Sequence, residues 1–114
     1  MTKKKWAMVI MGEDYTPEKD RALPVTEKKE GHILTVKNPA EAVKLAAELR
    51  DAGFGAIEVC GAFGEELARR MYEATDCTVP VSFVTTPPTS FRKRLSSGQR
   101  NKIRKRTEMN YEIF

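Results

Sequence analysis

Residues 56–71 read Ala56-Ile57-Glu58-Val59-Cys60-Gly61-Ala62-Phe63-Gly64-Glu65-Glu66-Leu67-Ala68-Arg69-Arg70-Met71. A short β-branched run, a glycine-bracketed turn and an amphipathic repeat follow one another, which is the pattern of strand, turn and helix. Leu67, Ala68, Met71 and Tyr72 recur at helical spacing and form the expected buried stripe of a helix over 64–75. A strand that feeds a helix in this way belongs to an open α/β layer, where ligand sites gather at the carboxyl ends of the strands.

Working outward, 79–85 is rich in β-branched residues and reads as a strand, with Pro80 favouring a sheet edge or a strand start. Pro87-Pro88 ends the regular domain. Upstream, Asn38-Pro39-Ala40-Glu41 is a strong helix start: a capping Asn, Pro at the first helical position, and Glu three residues after the cap. Val43, Ala46, Ala47, Leu49 and Arg50 continue that helix, and Gly53 supplies its left-handed stop. His32 to Val36 reads as another strand. The polar stretch 13–31, with Pro17, Pro24 and Gly31, is a long connection with an extended piece at 22–25. Trp6 to Met11 is continuously apolar, as expected of a strand covered on both faces near the middle of a parallel sheet. The expected fold is therefore α/β: a four-stranded, mostly parallel sheet with β-α-β-α-β order after the first strand. It forms one domain over 1–86, followed by a basic C-terminal extension over 87–114.

A chain of 114 residues can build a core without disulfides or metal. Its two cysteines, Cys60 and Cys77, are too few for a disulfide scaffold and read as reduced thiols of a cytoplasmic protein. Lys3-Lys4-Lys5 before the apolar run imitates a secretion signal, but Gly12-Glu13-Asp14 follows without a cleavage pattern. No apolar run reaches the length of a membrane span. The net charge of +4 is unevenly spread: residues 1–86 carry 12 Lys/Arg against 14 Asp/Glu, residues 87–114 carry 8 against 2. Arg92, Lys93, Arg94, Lys102, Arg104, Lys105 and Arg106 offer a salt-dependent surface for nucleic acid or a charged membrane. Phe91, Tyr111 and Phe114 only flank these charges, so base stacking has little support, and a solvated extension is the plainer reading.

The candidate site is the rim that the parallel strands share. Gly12, Glu13, Asp14 and Tyr15 leave the first strand there, Cys60, Gly61, Ala62, Phe63 and Gly64 leave the third, and Thr85 and Thr86 close the fourth. The turn 60–64 brings backbone N–H groups to a helix N-terminus and favours an anion. It lacks the lysine of a phosphate loop and the third glycine of a dinucleotide fingerprint. Glu65 and Glu66 would repel a phosphate, so the better ligand is a carboxylate or a neutral polar group. The bland alternative is an ordinary tight turn.

Glu58, in a strand expected to be buried on both faces, must pair, stay protonated, or face a cleft or subunit boundary. Cys60 precedes a helix N-terminus, where a thiol can be activated. His32 should lie toward the opposite end of the sheet, which disfavours a Cys–His pair and leaves Cys60 as a small buried residue. Glu13, Asp14 and Glu58 lack metal-ligand spacing, so no metal is expected, and the sequence names no cofactor.

The segments Trp6 to Gly12, Asp14 to Ala22 and Ala56 to Gly64 resemble a family of small prokaryotic proteins of unknown function, number six-five-zero-six in the series of such domains. The resemblance covers about residues 5–86, and its most specific part is Ile57-Glu58-Val59-Cys60-Gly61-Ala62-Phe63-Gly64. It implies the same α/β domain and brings no activity with it. The basic extension departs from the compact ending the family implies. The leading functional expectation is binding of a small polar or carboxylate ligand at the rim. The alternatives are a nucleic-acid-associated protein acting through the extension, and a thiol or carboxylate enzyme. Two helices leave one sheet face short of cover, so a homo-oligomer is expected, most simply a dimer.

Overall fold

Why the first helix starts and stops where it does can be read residue by residue in the computed structural model, which describes residues 3–87. Asn38 is extended at the N-cap, and its Oδ1 accepts the Glu41 N–H at 2.9 Å. Glu41 reaches back with Oε2 to the Lys37 N–H at 3.1 Å, one residue further out than a standard capping box. Helix α1 (Pro39–Asp51) ends in a Schellman motif. Gly53, at φ +85°, donates to the Arg50 carbonyl at 3.0 Å, and Phe54 donates to the Leu49 carbonyl at 3.0 Å. Phe54 and Leu49 are both buried, so the motif turns the chain and plants an aromatic in the core in one step.

Four strands form the sheet: β1 (Lys4–Met11), β2 (Lys29–Val36), β3 (Ala56–Val59) and β4 (Val81–Ser82). Their order is β2-β1-β3-β4 and every strand pairing is parallel, with β1 inside the sheet as expected. Helix α2 (Gly64–Ala74) joins β3 to β4. It ends in the same motif without a glycine, because Asp76 and Cys77 both take left-handed backbone at φ 57°. Asp76 N–H reaches Glu73 O and Cys77 N–H reaches Tyr72 O. Arg50 of α1 donates to Asp76 Oδ2 at 2.6 Å and ties the two helices together at that end.

Both crossovers step the same way across the sheet, from β2 past β1 to β3 and from β3 to β4. Crossovers of one hand therefore lie on one face. Ala7 and Val9 of β1, Ile57 and Val59 of β3, and Val36 of β2 point to that face and are buried with Ala42, Ala46 and Leu49 of α1 and Leu67, Ala68 and Met71 of α2. The step from β1 to β2 runs the other way, and no helix makes it. Residues 12–28 instead pass around the free edge of β2, where Ala22 pairs antiparallel with Ile33 and Val25 with Glu30, confirming an extended piece at 22–25.

The second sheet face consequently has no helix on it among the described residues. Trp6, Met8 and Ile10 project there beside Ile33 and Glu58, by alternation from the buried set. This corrects the reading of β1 as covered on both faces: its apolar residues divide between a packed face and a half-buried bare one. Glu58 is exposed on the bare face, so it faces no desolvation problem. Tyr72 is also outside its expected stripe, 37% exposed, with its hydroxyl on the Cys77 carbonyl. The fourth strand is much shorter than 79–85. β3 offers only Ala56–Val59 as a partner, and Pro80, opposite its first residue, has no N–H to give. The basic positions expected at 92–106 lie outside the described residues.

β2 begins three residues earlier than its β-branched content suggests, so His32 sits within it rather than opening it. Its ring meets Phe54 edge-on at 4.8 Å, and Nε2 lies 2.8 Å from Glu30 Oε1. The hydrogen bond to His32 holds the Glu30 carboxyl below its ordinary 4.5, with Lys5 and Lys3 adding attraction against a desolvation effect. A lowered carboxylate pKa stabilises the fold above the ordinary value, and that contribution vanishes as pH falls through the lowered one. Glu30→Gln should therefore depress the thermal midpoint at neutral pH and converge with the parent in acid, as melting curves across a pH series would register.

Gly31, opposite Trp6, is a position of close approach: a Cβ there would lie 2.8 Å from Trp6 Cζ2 and 2.9 Å from Cε2. Gly31→Ala must displace the indole and is expected to cost about 1–3 kcal/mol. Adding Trp6→Leu should return most of that loss in urea unfolding.

Candidate functional site

The shared rim exists because β1 and β3 are adjacent and parallel. Gly12 leaves β1 with its N–H on the Val36 carbonyl at 3.0 Å, and Cys60 leaves β3 with its N–H on the Val9 carbonyl at 3.1 Å. From there the chains part. Gly12 leads toward the β2 edge, whereas Cys60 leads into α2 on the helix-covered face. Such a divergence has the form of the topological switch point of an open α/β sheet.

On the β1 side, Tyr15 N–H closes a turn on the Gly12 carbonyl at 3.3 Å. The Tyr15 ring lies close over Gly12: a Cβ on Gly12 would be 3.0 Å from Cδ2 and Cε2. Glu13 and Asp14, at the tip, are exposed. On the β3 side, Phe63 N–H returns to the Cys60 carbonyl at 3.1 Å, and Gly61 and Ala62 are exposed between them. Phe63 is buried in the core and anchors the turn from below. Gly64 opens α2 at φ +74°, a conformation that excludes most side chains. No side chain caps this helix, since the N-cap position is Phe63, in helical backbone.

Of the expected site residues, 12–15 and 60–64 leave the adjacent strands β1 and β3 at the same end of the sheet. Glu58 stands apart, since its side chain belongs to the bare face two residues before the turn. Thr85 is exposed beyond the end of β4, at the same end of the sheet. Cys60 is half-buried and a free thiol. β1 lies between it and His32, whose ring is already bonded to Glu30, so no Cys–His pair forms. Among the described residues, no group of three or more His, Cys, Asp or Glu is placed to hold a metal ion. No helix there is long and apolar enough to cross a membrane.

Charge is distributed by position along the strands. Glu13, Asp14, Glu65 and Glu66 mark the carboxyl end, and Lys3, Lys4, Lys5, Lys28 and Lys29 mark the amino end. A cavity of about 350 Å³ lies at the β2 edge, between Pro17 and Arg21 of the wrapping segment and Glu41, Lys44 and Leu45 of α1. A larger one, about 570 Å³, lies among the amino-end lysines and Trp6. Sequence reasoning missed the second. Its lysines come from separate segments, and only the register of β1 on β2 brings them together.

The comparisons with known proteins supply a family and no activity. No curated protein and no solved structure matches the chain. The model of a family of unknown function, DUF6506, matches residues 4–99, which takes in all four strands and both helices. The chain belongs to the DUF6506 family.

Proposed function

We propose that this protein binds a small polar ligand, carrying at most a single carboxylate, at the carboxyl-end rim between the β1 and β3 turns. The supporting observation is the start of α2, which opens at the switch point with no side-chain cap. The free N–H groups of a first helical turn attract an acceptor oxygen. Glu65 and Glu66 in that turn oppose a highly charged anion, and Glu13 and Asp14 after β1 add acidic charge at the same end of the sheet. Gly61 leaves the backbone open to close approach, with nothing within 4 Å of where its Cβ would stand.

That openness gives a clean test. A Cβ on Gly61 meets no neighbour and the position has no positive φ, so Gly61→Val should leave the melting temperature within about 3 °C of the parent, as for surface changes worth under ~0.5 kcal/mol. A thermal-shift panel of monocarboxylates, amino acids, polyols and dicarboxylates should raise the parent midpoint for at least one of the first three classes. The shift should be lost in Gly61→Val. A panel that moves nothing, or a shift that survives the substitution, rejects the rim as the site.

The bare face of Met8, Ile10 and Ile33 supports a second element of this reading, association of two copies through that face. Sedimentation should give twice the mass of one chain, and Met8→Glu should give a single chain. A parent that sediments as one chain excludes it.

A further inference from the structure

We propose that the amino end of the sheet carries a second site, for an aromatic ring bearing phosphate, of which a mononucleotide is the representative ligand. It stands independently of the rim, at the opposite end of the strands. The cavity of about 570 Å³ is lined by Lys3, Lys4, Lys29, Trp6, Gly53 and Gly55, among others. That volume falls within the range of about 300–1,000 Å³ usual for small-molecule sites.

Two of the lysines are arranged against their own electrostatics. Lys4 and Lys29 are direct partners on adjacent parallel strands, so two like charges stand side by side on one face. None of the ion pairs formed among the described residues involves Lys3, Lys4 or Lys29. Glu30, the carboxylate next to Lys29, is bonded to His32. A bound phosphate would relieve this repulsion, and lysine is suited to the task as a mobile point charge. Lys5 has a different role: its Nζ lies 3.4 Å from the Ala52 carbonyl and 5.8 Å from the Phe54 ring centre. It covers the negative end of α1, which would otherwise repel an anion at this place.

The rest of the lining suits a flat ring. Trp6 lies close against Gly31 and contributes an aromatic wall. Gly53 and Gly55 supply backbone without side chains, and Gly55 N–H is already bonded to the Lys5 carbonyl, so that wall is rigid.

Trp6 is the single tryptophan of the chain and reports on the site directly. The full-length protein is titrated with AMP, ADP and ATP, with adenosine and inorganic phosphate in parallel, and its tryptophan fluorescence is followed. The nucleotides should give saturable quenching that weakens as salt is raised, with adenosine and phosphate each binding at least about tenfold more weakly. The double variant Lys4→Gln/Lys29→Gln, at two exposed positions, should lose at least about tenfold in nucleotide affinity. Its thermal midpoint should not fall, since it removes a like-charge pair. Absence of saturable quenching by any nucleotide overturns the proposal. So does quenching that the double variant leaves unchanged, which would assign the nucleotide to basic residues elsewhere. Inorganic phosphate binding as tightly as the nucleotides would also overturn it, by removing any role for the ring.

Discussion

Direction of travel across the sheet governs this molecule. Two consecutive crossovers, through α1 and α2, carry the chain the same way, and crossovers of one hand must then pack on one side. The only step in the opposite direction, from β1 to β2, is made around an edge with no helix. One face of the sheet thus receives both helices and all the small core residues that let them approach, notably Ala42, Ala46 and Ala68. The other receives Trp6, Met8, Ile10 and Ile33, which are only half-buried, with no helix over them among the described residues. Burying the core face is the main stabilising term available to a domain of this size. Everything else in the structure is arranged around that asymmetry.

The same parallel pairing separates charge along the strands. With every strand pointing one way, residues before the strands collect at one end and residues after them at the other. Lysines lie before β1 and β2, and glutamates and an aspartate lie after β1 and β3. The separation is partial, because Glu27, Glu30, Asp51 and Asp76 also lie toward the amino end, and residues 1–86 as a whole differ by only two charges, 12 against 14. The rim and the lysine cavity therefore differ in their immediate neighbours and not in the field of the whole domain.

Much of this architecture is legible in the sequence because local signals and global fold agree. The Asn38-Pro39 start, the Gly53 stop and the turn between Cys60 and Gly64 each depend on a few neighbouring residues, and the structure places them as read. The reading fails where the answer depends on distant partners. An unbroken apolar run such as Trp6 to Met11 looks the same whether its second face meets a helix of the same chain or is left bare. The length of β4 was set by the shortness of β3 and could not be read from 79–85 alone. Tyr72 has helical spacing with the buried stripe, yet its hydroxyl is drawn to the Cys77 carbonyl at the helix end. Rim residues 12–15 and 60–64 were legible from strand order, whereas the pairing of Lys4 with Lys29 required the register.

The treatment of the sheet margins has a consequence for aggregation. β4 contributes only two residues to one margin, immediately after a proline. The other margin is occupied by the antiparallel piece at 22–25, itself broken by Pro24. Pro80 and Pro24 each interrupt the run of amides that a foreign strand could template on, which hinders edge-to-edge addition at both margins. Among the described residues the large apolar side chains left exposed beside those margins are Leu23, Val25, Phe83 and Val84, so at both edges it is the prolines, and not a polar surface, that restrain self-association.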